Sequence, residues 1–425
     1  MTTGLILALL AVLLAFGMPL FFALGIASAA YFWAVGIDLA LLAQRMTASV
    51  DSFLILAIPF FYLAGELMNA CRLTERIVDM SKALVGHIHG GLGQVNILAS
   101  MIFSGMSGSA TADTTALGSV LIPAMKKEGY PAPFSAAVTV ASAMVGPIIP
   151  PSVALVIYGA LANVSIGRLL LAGIIPGLVI ILSQMVFTYF YARAKGFPRY
   201  PRADFPTVVR ATKRGAAAIL FPVIIVGGIL SGVFTPTEAA AVAVAYALFL
   251  SAFVYRNVSA GEIWRVFQSV SLGSVRILVI IAVASAFSWI MVREQVPQVI
   301  ATGLGTVSDS SIVVLFIIIG MLLVVGLFMV ASSAEIVLTP ILVPVILAFG
   351  IDPVHFGVLM VFSLIIGGGT PPVGVLLFIA QDIAEISFGQ MVRAMLPFYI
   401  PLFAAVALLA LFPQLTLFLP NLVFG

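Results

Sequence analysis

Apolar positions follow one another along this chain in blocks of about twenty, and no block shows the alternation of a membrane β-barrel strand. Residues 4–36 read as one long or two short helices with a kink at Met18-Pro19. A polar stretch around Arg45 to Asp51 then precedes a span at 53–70. Residues 72–90, carrying Arg72, Glu75, Arg76, Asp79, Lys82, His87 and His89, read as an amphipathic segment lying in the interface or bridging helices. Spans follow over 92–125, 132–160 and 168–192, then near 216–233, 236–255, 272–293, 311–332, 335–350, 354–366, 371–384 and 394–420. Some of the later pieces are expected to be arms of re-entrant hairpins rather than full crossings.

Two interruptions organise this pattern. Gly146-Pro-Ile-Ile-Pro-Pro-Ser152 lies inside an apolar run but cannot continue a regular helix, because its prolines lack a backbone donor and clash with the preceding turn. At membrane depth such a break is tolerated only where protein buries it or where it lines a wet cavity. The device returns 221 positions later as Gly367-Gly-Gly-Thr-Pro-Pro-Val373. The same shift, without a gap, aligns Gly105 with Gly326, Pro123 with Pro344, Gly129 with Gly350, Ser142 with Ser363 and Pro176 with Pro397. Chance readily matches Leu and Ala in an apolar sequence; breakers matching in one register point to duplication. If the unit holds an odd number of crossings, its two copies are inverted in the membrane, an arrangement that supports alternating access.

Composition removes the soluble alternatives. Hydrophobic residues make up 62% of the 425, charged residues 8%, and mean hydropathy is +1.24. The reading is an all-α polytopic membrane protein. The net charge of +3 is small and its basic residues sit in loops, which disfavours nucleic acid as a partner; the single Cys71 forbids an internal disulfide. The 4–36 run has no Lys or Arg before it and is longer than a signal h-region, so it is expected to be a retained membrane helix. The longest polar stretch, 193–214, holds seven basic residues against Asp204 alone and is expected to be a cytoplasmic linker. The N-terminus has no basic residue before Arg45, which suits the periplasmic side, and five crossings in the first half would make both assignments consistent.

The chemistry gathers beside the breaks. Phe103–Asp113 precedes the first and Gly326–Glu335 the second, each rich in Ser, Gly or Ala. Such stretches suit the tips of re-entrant hairpins, where free carbonyls and hydroxyls coordinate a hard cation and helix N-termini present amides to an anion. Close packing of small residues is the competing reading for either stretch alone. Asp113 and Glu335 are candidates for ion-site or helix-end support. Glu238 reads as part of a cap with Thr237 as N-cap. Arg293 reads as an interface anchor or a partner of Glu294. His87, His89 and His355 lack metal-ligand spacing and are read as loop residues.

The stretches SGMSGSATAD (104–113), GPIIPPS (146–152), GVFTPTEAAAVAVAYAL (232–248) and GGGTPPVG (367–374) resemble the large membrane subunit of tripartite ATP-independent periplasmic (TRAP) transporters, over essentially the whole chain. The resemblance implies sodium-coupled uptake of an organic acid, sialic acid or a C4-dicarboxylate, across the bacterial inner membrane. It also implies a periplasmic substrate-binding protein, a small four-helix membrane subunit and no organic cofactor. Its fold has two scaffold regions (1–70 and 215–300) and a transport domain of two hairpin-plus-broken-helix units (90–180 and 310–400) moving as an elevator. The repeats then span 1–192 and 215–425.

Carried over by position, the tips are Ser104–Ser109 and Gly326–Ser333, and the unwound helices are Gly146–Pro151 and Gly367–Pro372. Sodium is expected at Ser104, Gly105, Ser109, Gly146 and Pro150 in the first half and at Gly326, Ser332, Ser333, Gly367 and Thr370 in the second. The anion is expected at Ser107, Gly108, Pro147, Pro151, Gly368, Gly369, Pro371 and Pro372, with Arg276 facing a carboxylate. The rivals are an elevator exchanger without a binding protein, a channel and an intramembrane enzyme. No Walker-type phosphate loop argues for ATP, and the enzyme reading lacks a His deep in an apolar segment.

Overall fold

The computed structural model describes residues 2–71 and 73–425; Arg72 of the amphipathic segment lies outside the described residues. Every regular element among them is helical. In chain order these are α1 (Thr2–Ala15), α2 (Leu20–Val35), α3 (Leu39–Val50), α4 (Ala57–Ala70), α5 (Thr74–Val85), α6 (Gly91–Ser107) and α7 (Ala110–Lys127). Next come α8 (Ala132–Ala143), α9 (Val153–Ala162), α10 (Ile166–Lys195), α11 (Phe205–Leu230), α12 (Pro236–Phe249), α13 (Ala260–Arg293) and α14 (Val296–Val307). The last seven are α15 (Ser311–Phe328), α16 (Ala331–Ala348), α17 (Pro353–Gly368), α18 (Val375–Ala384), α19 (Phe388–Met395), α20 (Tyr399–Leu411) and α21 (Gln414–Phe424). Seven stretches among the described residues are long and apolar enough to cross a membrane, and the chain is a multi-pass membrane protein.

Local chemistry explains where these helices begin and end. The 4–36 run resolves into two helices because Gly17, at φ +77°, turns the chain before Pro19. The polar stretch near Arg45 is itself helical: the Asp38 carboxylate accepts from Ala40 N at 2.8 Å, and none of α3's residues is buried. α13 starts at Ala260 rather than near 272, through a Ser259–Glu262 capping box. α14, which the apolar pattern missed, opens with Pro297 in its first turn. Over 394–420 the chain breaks again, at Phe412-Pro413.

Three readings need correction. The cap before α12 is Thr235, not Thr237: the Thr235 hydroxyl and Glu238 form the reciprocal box, while the Thr237 hydroxyl donates to Phe53 O. His355 is not in a loop; it lies buried in α17, with Nδ1 2.6 Å from Thr416 Oγ1. Only 196–204 of the linker is non-helical, since Arg193 and Lys195 end α10 and Arg210, Lys213 and Arg214 lie in α11. That short connection is pinned at three points. Tyr130 Oη donates to Pro198 O (2.7 Å), Tyr200 N donates to Gly86 O (3.0 Å), and the Tyr200 hydroxyl donates to Glu128. Burial and the Glu128 carboxylate push the Tyr200 phenol well above its ordinary range.

Shifted by 221 positions, α7 falls on α16 at both ends, and the first residue of α8 falls on the first of α17. The halves interlock: α8 packs on α18 and α19, while α9 packs on α16 and α17. Beside this body α4 packs on α12 and α13. In lipid, where apolar burial between helices gains little, close approach comes from small residues. Gly65 of α4 lies against the α6 backbone: a β-carbon there would sit 3.0 Å from Met106 O.

Candidate functional site

A cavity of about 360 Å³ opens where both hairpin tips meet both breaks. Ser107–Thr111 and Gly326–Ser332 bring the tips; Pro147, Val153, Gly368 and Val373–Leu376 bring the breaks and the helices they start. Tyr62 of α4 and Ile277 of α13 close the remaining side. The two breaks also touch each other, since a β-carbon on Gly369 would overlap the end of Met144.

The tips are tighter turns than the small residues suggest. α6 stays helical through Ser107, leaving Gly108-Ser109 as the turn, and α15 stays helical through Phe328, leaving Met329-Val330. Gly108, at φ +58°, makes the first turn possible, and a β-carbon on it would lie 2.9 Å from Pro151 O. The first break leaves 144–152 non-helical; the second leaves only 369–374, so Gly367 and Gly368 are the last turn of α17. Both Pro150-Pro151 and Pro371-Pro372 are cis.

In the first half the polar groups satisfy one another. Asp113 is fully buried in the first turn of α7 and accepts from Ser104 Oγ at 2.7 Å and from Ser107 Oγ. Its Oδ2 would stand 2.9 Å from a β-carbon on Gly146, so this carboxylate fills the gap between tip and break. Ser109 caps α7 by accepting from Ala112 N. Ser152 caps α9, accepting from Leu155 N at 3.1 Å while donating to Pro147 O at 2.5 Å.

The second half is built differently. Gly326 and Gly367 meet backbone to backbone: a β-carbon on Gly367 would lie 2.5 Å from Leu323 O and 2.7 Å from Gly326 Cα. The N-cap positions of α16 and α18 are Val330 and Gly374, neither with a side-chain cap. Residues of their first turns, Ala331 and Ser332 of α16 and Val375 and Leu376 of α18, line the cavity, and the first amides of a helix have no intrahelical carbonyl of their own. Glu335, one position out of register with Asp113, lies beyond the first turn of α16; it lines the cavity, is buried, and its Oε1 has no hydrogen-bond partner among the described residues. The second break is held from α20, where Tyr399 Oη donates to Gly369 O at 2.8 Å, and Thr370 Oγ1 turns back to Ile366 O at 2.6 Å.

Of the positions singled out in the sequence, Ser107, Gly108, Ser109, Pro147, Gly326, Ser332, Glu335 and Gly368 line the cavity. Ser104, Asp113 and Gly146 form the cluster behind its first wall, and Gly367 and Thr370 lie behind the second. Gly105 faces Pro222 and Pro150 O, Ser333 sits in the first turn of α16, and Pro150 and Pro151 are buried. Pro371 is half-buried and Pro372 exposed beyond the lining. Arg276 is exposed, one position before the cavity-lining Ile277. Arg293 lies over the Trp289 ring at 5.4 Å, while Glu294 accepts from Tyr31 Oη at 2.5 Å. Sequence reasoning missed Tyr62, Tyr399 and the cap role of Ser152. Only Ser152 carried a local signal, a serine just before an apolar run.

The sequence matches a known family. The model of the tripartite ATP-independent periplasmic transporter, DctM component, matches residues 7–415. The chain is 45% identical over 413 residues to the sialic acid TRAP transporter large permease SiaM of Vibrio cholerae, covering 96% of each. It is 38% identical over 380 residues to the C4-dicarboxylate TRAP transporter large permease DctM of Pseudomonas aeruginosa, covering 89% of each. Among solved structures, the YdaH transporter of Alcanivorax borkumensis shares the fold, with a TM-score of 0.62 over 88% of each chain at 16% identity.

Proposed function

The chain belongs to the family of DctM components of tripartite ATP-independent periplasmic transporters, and from that premise we propose that it carries an organic acid anion inward, driven by sodium. It is a transport protein rather than an enzyme. The observation that carries the anion reading is the pair of uncapped N-termini, α16 and α18, opening on one cavity. A carboxylate there receives amides and the positive ends of two helices without needing a basic side chain. Sialic acid and C4-dicarboxylates are the substrates to test first, because relatives similar over most of their length are named for them.

Sodium enters this reading as a co-transported ion. The first site takes Asp113 with the Ser104 and Ser107 oxygens and carbonyls of the Gly146–Pro150 segment. The second takes carbonyls around Gly326 and Gly367 with the Thr370 hydroxyl. A hard cation accepts both donor sets, since all are oxygens. Filling them ties each tip to its break and shapes the anion pocket. The hairpin-bearing body, α6–α10 with α15–α20, then slides against a scaffold built partly from 1–70 and 215–300, the halves being inverted repeats. A periplasmic binding protein delivers the substrate and a small four-helix subunit joins the scaffold in the inner membrane. The connection at 193–214 lies on the cytoplasmic side and the N-terminus on the periplasmic side.

Proteoliposomes holding both membrane subunits and given loaded binding protein should accumulate the acid only with an inward sodium gradient. Undiminished uptake with choline in place of sodium would refute the coupling; uptake without binding protein would favour the exchanger-like rival.

A further inference from the structure

We propose that a file of buried polar side chains behind the first junction sets its sodium affinity by holding tip and break at a fixed separation; this rests on the sodium reading above. The file is Ser100 and Asn96 of α6 with Ser142 and Thr139 of α8, all fully buried and none of them in the ligand set. Ser100 Oγ lies 2.8 Å from Ser142 Oγ. Ser142 Oγ donates to Asn96 Oδ1 at 3.2 Å, and Asn96 Nδ2 donates to Thr139 Oγ1 at 2.7 Å. The file meets the junction on both sides. Ser104 Oγ, the hydroxyl bonded to Asp113, lies 2.5 Å from Ser100 O, and Ser142 stands in the last turn of α8, which leads into the break.

Pairing of the two helices does not by itself call for this chemistry. In the second half α15 and α17 pack on each other although α15 carries no polar side chain from Ile312 to Phe328; there Gly326 on Gly367 fixes the approach. Under the 221 shift Asn96, Ser100 and Thr139 fall on Ile317, Met321 and Met360. Ser142 falls on Ser363, whose Oγ is buried without a partner among the described residues. The first junction has no such glycine contact. Gly105, the counterpart of Gly326, faces Pro222, and the Asp113 carboxylate fills the gap beside Gly146. The separation of α6 and α8 is held instead by hydrogen bonds behind the junction, Ser100 about one turn from Ser104 and Asn96 about two. A cation held by Ser104, Ser107 and Asp113 on one side and by carbonyls of the 146–150 segment on the other needs both oxygen sets at once. A change in that separation is therefore felt as ion affinity. Were the file only glue between helices, its loss would lower stability and leave the ion untouched.

The test is a sodium titration of thermal unfolding on the purified complex of both membrane subunits, with choline replacing sodium at constant ionic strength. Sodium should raise the wild-type Tm along a saturable curve, since it binds the folded state. Ser100→Ala combined with Ser142→Ala removes both ends of one hydrogen bond, so neither hydroxyl is stranded. The sodium concentration at half-effect should rise about fivefold in that pair. Ser142→Ala alone should raise it about threefold, and it serves where the pair does not fold. Gln94→Leu is the control. It deletes the hydrogen bonds of another buried α6 side chain, to Met185 O and His89 O, and should lower Tm without moving the sodium midpoint. An unmoved midpoint in the serine variants, or an equal shift in Gln94→Leu, overturns the proposal. Wild-type melting indifferent to sodium overturns the sodium reading, and this proposal with it.

Discussion

The two halves share one register but not one chemistry. In the first, a carboxylate and four serines close the junction of tip and break: Asp113 fills the space beside Gly146, and Ser109 and Ser152 occupy the helix starts. In the second, glycine lies on glycine, the helix starts carry Val330 and Gly374, and the tip is open, with Phe328 at 65% exposure. The two junctions thus differ in how they use their polar groups. One junction is satisfied by its own side chains; the other sets two helix starts without side-chain caps beside the cavity, which on our proposal suits a ligand that comes and goes.

The sharpest way to break this comparison is a methyl group. Gly326→Ala puts a β-carbon 2.6 Å from Leu364 O and 2.9 Å from Gly367 Cα, where only backbone could yield. Destabilisation of about 3 kcal/mol and loss of uptake are expected. Its counterpart Gly105→Ala meets Pro222 at 3.2 Å and should cost under about 1 kcal/mol. Thermal unfolding in detergent would check both, and equal costs would erase the asymmetry. Next in size, Asp113→Asn should raise the sodium concentration for half-maximal uptake about tenfold or more, the scale of one charged contact. Thr370→Val, in the second half, should raise it only about threefold. Sodium titrations of uptake decide, and normal sodium affinity in the valine variant would remove Thr370 from the ligand set.

A smaller effect sharpens the anion side. Val330 has the extended backbone of an N-cap (φ −62°, ψ 132°), so Val330→Ser should cap α16 and stabilise it by about 1 kcal/mol. The new hydroxyl would compete for the amides a carboxylate needs, raising the apparent KM for the acid roughly fivefold. A lower KM would place the anion elsewhere. Smallest of all, Tyr399→Phe removes the hydrogen bond to Gly369 O and should cost about 1 kcal/mol by thermal unfolding, with uptake retained.

Much of this plan was legible in the chain because it was written in residues that act locally. Gly146, Pro150, Pro151 and their partners 221 positions on interrupt a helix whatever surrounds them, and α7 and α16 coincide at both ends under that shift. Thr237 was taken for a cap because Thr235 and Thr237 are chemically alike, and only the backbone decides which hydroxyl reaches Glu238 N. Tyr62 and Tyr399 left no trace, since each reaches its target across more than twenty residues or from another helix. The difference between the junctions was equally hidden. Asp113 and Glu335 look like near-equivalents in the chain, one step out of register, yet that step decides whether serines meet the carboxylate.

The broken helices also bear on how the protein enters its membrane. α8, α9, α17 and α18 have 12, 10, 16 and 10 residues, and ten residues rise only about 15 Å, half of an average hydrocarbon core. None can be threaded through the insertion machinery as an independent span, because each would leave the carbonyls and amides of its broken end facing lipid. In the finished fold the stretches that follow each break cover them: α10 packs on α9 and α17, and α19 on α8 and α18. Each half is therefore expected to enter the bilayer as a unit, and truncation after α9 should leave α8 and α9 uninserted where truncation after α10 does not.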